Sequence, residues 1–207
     1  VYIVPISEIE ILKSTNFDDE ITTAQTFRNT VYCYKGDDTV QAFSGDVIHG
    51  GIGNDNITIG NDQIELKASA LRSIGASAYG DDGNDTITTY SDVGNVTVHS
   101  GMGSDVITTL EGDDEIYVSE NARVKTGIGN DLIIVDNIHS QSTIAVDGES
   151  GADIIEFRVS VDNPSTQVTN IISKRTSTYA SNDSNPVATN SVSLILNNIE
   201  TLITSEH

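Results

Sequence analysis

Aspartate recurs in this chain at a spacing that leaves few folds open to it. Five segments superimpose: Gly50-Gly51-Ile52-Gly53-Asn54-Asp55-Asn56-Ile57, Gly80-Asp81-Asp82-Gly83-Asn84-Asp85-Thr86-Ile87, Ser100-Gly101-Met102-Gly103-Ser104-Asp105-Val106-Ile107, Thr126-Gly127-Ile128-Gly129-Asn130-Asp131-Leu132-Ile133 and Gly148-Glu149-Ser150-Gly151-Ala152-Asp153-Ile154-Ile155. Shorter Gly-x-Asp-x-apolar copies end on Asp38, Asp62 and Asp114. The copy at Asp19 replaces the glycine with a side chain, and Asp46-Val47-Ile48 keeps only the second half. Asp46 to Asp55 and Asp105 to Asp114 are nine residues each; Asp19 to Asp38 is 19, Asp38 to Asp55 17, Asp85 to Asp105 20 and Asp114 to Asp131 17. A unit near nine, two units per turn, describes a solenoid coil of about 18 residues with insertions. The largest insertion falls between Asp62 and Asp85, around Glu65 to Ser77, which leaves motif Asp85 short of a good neighbour on that side.

Each unit supplies a turn and a short strand. The glycines allow positive φ and close approach of neighbouring backbone. The apolar residue two places after Asp points inward and, with β-branched neighbours, makes a strand of about three residues. Such a strand cannot bury its apolar face alone, but coils stacked ~4.8 Å apart can. The expected fold is therefore all-β, a parallel β-solenoid. All 17 glycines lie between Gly36 and Gly151, and from Phe157 onward only four acids face three bases. That boundary divides the chain into a repeat region at 1–156, of which 1–15 is a leading strand, and a Gly-free segment at 157–207. The segment caps the solenoid or links it to a next repeat. Within it, Ser181 to Ser191 reads as a loop and Val192-Ser193-Leu194-Ile195-Leu196 as a strand.

Ten Lys and Arg against 31 Asp and Glu leave a net charge of −21. No basic face for nucleic acid or anionic lipid can be assembled from that balance. No apolar run reaches membrane-spanning length, and Val1-Tyr2-Ile3-Val4-Pro5 lacks a signal pattern. The chain starts on Val1 rather than Met, which reads as a piece of something longer. Stacking brings the aspartates into register, where two carboxylates ~5 Å apart repel by roughly 3 kcal/mol at an effective dielectric near 20. A hard divalent cation between coils reverses the sign. Ca²⁺ accepts six to eight oxygens with loose geometry, Mg²⁺ wants a stricter octahedron, and no His/Cys cluster suits Zn²⁺. The expected cofactor is calcium, several ions per chain.

At this point the sequence resembles a known family, the repeats-in-toxin (RTX) calcium-binding nonapeptides of secreted bacterial proteins, whose pattern is Gly-Gly-x-Gly-x-Asp-x-apolar-x. Gly50 through Thr58 matches every fixed position; the Asp105 and Asp131 copies put Ser100 and Thr126 at the first glycine, and the Asp85 copy has Asp81 at the second. The resemblance covers roughly residues 16 to 156. It implies a right-handed parallel β-roll with Ca²⁺ held in the turns by Asp and backbone oxygens. The residues it implies are Asp19, Asp38, Asp46, Asp55, Asp62, Asp85, Asp105, Asp114, Asp131 and Asp153, with the turn glycines Gly51, Gly53, Gly83, Gly101, Gly103, Gly127, Gly129 and Gly151. The irregular spacing implies fewer sites than motif copies. Asp81 and Asp113 read as solvated turn acids.

Other features carry less chemistry. His49, Tyr79, His99, Lys125 and Asp147 share one repeat position, and the mixture reads as an exposed row. Cys33 reads as a small buried hydrophobe. Thr22, Thr58, Thr88 and Thr108 each follow an inward residue, as is common in strands. Ice-binding members of the family carry Thr between the turn glycines, where this chain has Ile52, Asp82, Met102 and Ile128. Gly75-Ala76-Ser77-Ala78-Tyr79 fails the nucleophile elbow, His-Glu-x-x-His is absent, and the arginines do not align with the repeat, so the chain is not expected to be an enzyme. Val1–Leu12 aligns with Ser191–Leu202 without gaps at an offset of 190 residues, as one period of a tandem array would. The expected function is a calcium-folded structural module of a large secreted or surface-attached bacterial protein, adhesin-like or surface-layer-like. Its expected partners are calcium, further copies of the repeat or cell-surface polysaccharide. The alternative is the carbohydrate-binding or secretion-assisting repeat domain of an exported enzyme or toxin.

Overall fold

The computed structural model describes residues 2–3, 11–23, 28–60, 75–90, 93–136, 142–159, 166–173, 178–180, 190–197 and 201–206. Every element among them is a strand, and every strand pairing is parallel. Successive strands alternate between two sheets, so the chain winds as a β-solenoid. Sheet A stacks Tyr2–Ile3, Glu20–Thr22, Thr39–Ala42, Asn56–Ile59, Thr86–Thr89, Ser104–Thr108, Asn121–Lys125, Ser142–Asp147, Asn190–Asn197 and Thr166–Ser173. Sheet B stacks Ile11–Lys13, Thr30–Tyr32, Val47–Ile52, Ala76–Asp82, Val96–His99, Glu115–Val118, Leu132–Val135, Ile154–Val159, Thr201–Glu206 and Thr178–Ala180. Two turn edges connect them: the BA edge, where the chain leaves sheet B for sheet A, and the AB edge opposite.

The core is two facing columns of mostly β-branched side chains. In sheet A, Ile21, Val40, Ile57, Ile87, Ile107, Val124 and Val146 lie in register. In sheet B the column is Val31, Ile48, Ala78, Val98, Ile116, Ile133 and Ile155. All of these are buried, as is the free thiol of Cys33, whose pKa burial raises. Alternation puts polar residues outside, so Thr22, Gln41, Thr58, Thr88 and Thr108 form one outward column of sheet A.

The row at His49 divides between the sheets. Lys125 and Asp147 face outward from sheet A. On sheet B, Tyr32, His49, Tyr79, His99 and Tyr117 stack ring on ring, with centroids 4.3–4.7 Å apart and planes within 5–12° of parallel. The large insertion does not break the stack: Asn56–Ile59 pairs directly with Thr86–Thr89 across it. Motif Asp85 therefore has a neighbour on the insertion side, contrary to the sequence expectation.

The Gly-free segment continues the same two sheets. Its last coil, Asn190–Asn197 with Thr201–Glu206, inserts ahead of the one before it in the chain, Thr166–Ser173 with Thr178–Ala180. The two segments related by the 190-residue offset occupy matching places. Tyr2–Ile3 and Asn190–Asn197 lie in sheet A, and Ile11–Lys13 and Thr201–Glu206 lie in sheet B. Most of the Ser181–Ser191 loop is outside the described residues.

Candidate metal centre

The turn before each strand is built on backbone contact between coils. A Cβ on Gly53, Gly83, Gly103, Gly129 or Gly151 would overlap the carbonyl oxygen of the equivalent glycine one coil earlier. Two residues ahead of this glycine, on the same edge, the chain needs a left-handed residue, and Gly51, Gly101 and Gly127 supply it at φ 104°, 93° and 87°. Tyr34, Asp81 and Glu149 take the same place at 68°, 68° and 54°.

The turn directs the aspartate inward, and its Oδ1 accepts the backbone N–H of the equivalent residue in the preceding coil. On the BA edge Asp38, Asp55, Asp85 and Asp105 accept from Asp19, Asp38, Asp55 and Asp85 at 2.7, 2.8, 2.8 and 3.0 Å. On the AB edge Asp114 accepts from Val96, Asp131 from Asp114 and Asp153 from Asp131 at 2.9, 2.9 and 3.0 Å. These carboxyls are at most 2% exposed, whereas Asp19, at the end of its column, is half-buried.

In six of these groups only one oxygen accepts a hydrogen bond. Oδ2 of Asp38, Asp55, Asp85, Asp105, Asp114 and Asp131 is buried and makes no hydrogen bond. At Asp55 and Asp85 a carbonyl oxygen of the following coil lies near it. The space that a Cβ on Gly50 would take is 2.5 Å from Asp55 Oδ2 and 2.7 Å from the Gly80 carbonyl oxygen. Gly80 meets Asp85 Oδ2 and the Ser100 carbonyl in the same way. Burial pushes Asp38, Asp105 and Asp114 up to about 6 and Asp85 up to about 7, with the charge of neighbouring acids adding to the rise. Burial also raises Asp55 and Asp131. The hydroxyls of Ser100, Thr109 and Thr126 offset part of this at Asp105, Asp114 and Asp131.

A buried carboxylate oxygen without a donor is costly unless a cation or a proton meets it. At Asp55 and Asp85 a turn carbonyl oxygen stands close by, a donor set that suits a hard ion such as Ca²⁺. Among the described residues no three His, Cys, Asp or Glu side chains converge on one point. A cation here would therefore draw on one or two carboxylates and on turn carbonyls, as the loose coordination of calcium permits.

Two of the sequence candidates stand apart. Asp46 is fully buried and closed by four donors: Thr23 Oγ1 and Phe43 N on Oδ2, and Asn29 N and Nδ2 on Oδ1, at 2.6–3.0 Å. It ties three segments together and has no free direction for an ion. Asp62 lies outside the described residues. The turn glycines Gly51, Gly53, Gly83, Gly101, Gly103, Gly127, Gly129 and Gly151 all stand at positive φ, and their role in the structure is backbone approach.

Sequence reasoning missed a second side-chain column, one residue before the aspartate. Here the side chain reaches forward. Asp18 Oδ1 accepts from Asp37 N, Asp37 from Asn54 N, Asn54 from Asn84 N and Asn84 from Ser104 N, at 2.8–3.0 Å. On the other edge Asn95 accepts from Asp113 N, Asp113 from Asn130 N and Asn130 from Ala152 N, at 2.8–3.0 Å. Each coil step is thus tied twice, by side chains reaching in opposite directions. Asp113 belongs to this exposed column. The signal was present in the sequence as Asn or Asp at the x of Gly-x-Asp.

No protein-family model, curated protein or solved structure matches the chain.

Proposed function

We propose that this chain is a calcium-folded structural module of the repeats-in-toxin type, part of a larger secreted or surface-attached protein. The observation that carries the reading is the in-register column of buried aspartates, each with one oxygen satisfied by backbone and one left without a donor. Asp38, Asp55, Asp85, Asp105, Asp114, Asp131 and Asp153, with neighbouring turn carbonyls, are the residues that would hold the ions. Extracellular calcium modules bind with dissociation constants on the order of 10⁻⁴–10⁻³ M. In ~2 mM Ca²⁺ each independent site then contributes roughly 0.6–1.8 kcal/mol, so a few sites rival the whole stability of a domain. Low-calcium cytosol would keep such a chain open for export, and the outside medium would close it.

Circular dichroism in chelator, then millimolar Ca²⁺, with Mg²⁺ as control, tests this. The β signal and melting temperature are expected to rise with calcium alone. The same spectrum and melting temperature in chelator as in calcium would overturn the reading, and an equal response to Mg²⁺ would reduce it to charge screening.

A further inference from the structure

The two sheets end in an order that the chain does not follow. Thr166–Ser173 and Thr178–Ala180 come before Asn190–Asn197 and Thr201–Glu206 in sequence, yet they stack beyond them. The later coil sits directly on Ser142–Asp147 and Ile154–Val159, through unbroken pairings that run from Ser142 with Val192 to Asp147 with Asn197 and from Ile154 with Thr201 to Val159 with Glu206. The earlier coil covers the far side of the later one, and its register slips between Val168 and Asn170. It has neither glycine nor acid from Thr166 to Ala180, so it cannot carry the aspartate column on to a further coil. The stack thus passes from Val159 to Asn190 directly, and the earlier coil is an addition at its end.

That far side has a counterpart at the other end of the molecule. At the 190-residue offset, Tyr2, Ile3, Ile11, Leu12 and Lys13 become Val192, Ser193, Thr201, Leu202 and Ile203. The first five pair with Ile21, Thr22, Thr30, Val31 and Tyr32 of the first acidic coil, without a slip. The second five pair, on the same side, with Val168, Asn170, Thr178, Tyr179 and Ala180. The covering coil therefore stands where an acidic coil would stand. The likeness continues into the turn. Ser14 Oγ donates to the Cys33 carbonyl, and Thr15 N and Oγ1 donate to Asp19 Oδ2 at 2.8 and 2.6 Å. The equivalent residues, Thr204 and Ser205, are again hydroxyl residues.

We infer that the far side of the coil at 190–206 is the docking surface for the next copy of this repeat in the same polypeptide, and that Thr166–Ser173 with Thr178–Ala180 is a displaceable cap over it. The occupant is the first acidic coil of that copy, its Glu20–Thr22 and Thr30–Tyr32. An open sheet end is a template for further pairing, and proteins cover such ends or bend them with bulges. The slipped register belongs to a cover and not to a continuing coil. Displacement exchanges it for the regular pairing of Tyr2–Ile3 and Ile11–Lys13, while the coil at 190–206 stays seated on Ser142–Asp147 and Ile154–Val159. The released segment remains tethered at both ends, and closing a longer loop costs little. In nearest-neighbour terms, copies joined in this way share one core, with an interface where separate rolls would each leave an end. The inference goes beyond the calcium reading and stands without it.

The test is amide hydrogen exchange by mass spectrometry in millimolar Ca²⁺, where the roll is folded whether or not it needs the ion. It compares the full chain with a chain in which residues 18–207 follow His207 as a second copy. In the full chain Thr166–Ser173 is expected to be protected. In the two-copy chain the same peptide is expected to split into two isotope envelopes of equal size, one protected and one exchanging as unfolded, with Asn190–Asn197 protected throughout. A single protected envelope would mean two separate rolls, each with its cap in place, and would overturn the inference. A second measurement needs only one copy. Ile171→Pro with Ile172→Pro removes a ladder N–H whichever way the cap strand is turned. This variant is expected to lose protection over Thr166–Ser173 and to keep it in Ser142–Asp147 and in the Asn190–Asn197 amides bonded to that strand. Loss in all three strands would make the cap an integral coil and contradict the inference. Concentration-dependent multimers of the variant in light scattering would put the partner on a separate molecule and overturn the same-chain assignment.

Discussion

At the residue scale, the turn demands a conformation before it demands a chemistry. One position per coil takes positive φ whether the residue is Gly51, Gly101 or Gly127, or instead Tyr34, Asp81 or Glu149. A left-handed residue with a side chain costs about 1–2 kcal/mol, and glycine returns part of that in unfolded-state entropy. Tyr34→Gly, at an exposed side chain, is therefore expected to raise stability by up to ~1 kcal/mol in a denaturant titration; a loss would show that Tyr34 makes contacts that outweigh its strain. Gly83 is the opposite case. A Cβ there would overlap the Gly53 carbonyl, which is backbone and cannot move aside, so Gly83→Ala is expected to cost of order 3 kcal/mol. The glycines were legible from the motif. Tyr34 and Glu149 were not, because a residue that tolerates the turn only under the pressure of neighbouring coils leaves no local signal.

At the element scale, Ile107 shows how much of the solenoid stands on one column. It is fully buried between Ile87 and Val124, and Ile107→Ala is expected to cost about 2–5 kcal/mol, with cooperative melting lost first in the adjacent coils. The strands, their inward residue and the parallel stacking followed from period and alternation. The ring stack on sheet B did not. His49, Tyr79 and His99 share one repeat position, but Tyr32 and Tyr117 are not followed by a full copy of the motif, and their alignment depends on coils of unequal length closing to the same register. That aspartates occupy both edges was half visible, since nine residues is half a coil and places Asp55 opposite Asp46 and Asp114 opposite Asp105. Asp46 looked like one more ligand because sequence shows the carboxylate and not the four donors that tertiary folding gathers around it.

At the scale of the whole molecule, 31 acids and 10 bases must be reconciled with a core edged by buried carboxyls. Without a cation the proton is the remaining way to neutralise them. Asp38, Asp105 and Asp114 are raised from an ordinary 3.8 to about 6, and Asp85 to about 7. A carboxyl raised on folding binds more protons in the native state, so its stabilising effect is full below the unfolded value and fades as pH rises through the folded one. In chelator the melting temperature is therefore expected to fall steadily from about pH 4 to about pH 7. In saturating calcium, where ions compete with protons for the same oxygens, that decline is expected to vanish or reverse. A metal-free melting temperature that rises over this interval would show that the aspartates are stabilised as anions by the backbone alone.

The central proposal is that a cation meets the second oxygen of Asp55, Asp85, Asp105, Asp114 and Asp131. The most direct measurement is a crystal structure of the chain grown in millimolar Ca²⁺, with anomalous differences collected at long wavelength. Calcium-strength peaks are expected within 2.3–2.6 Å of Oδ2 on Asp55, Asp85 and Asp105 along one edge, and of Asp114 and Asp131 along the other. Ordered carboxyls at those positions with no anomalous peak beside any of them would contradict it.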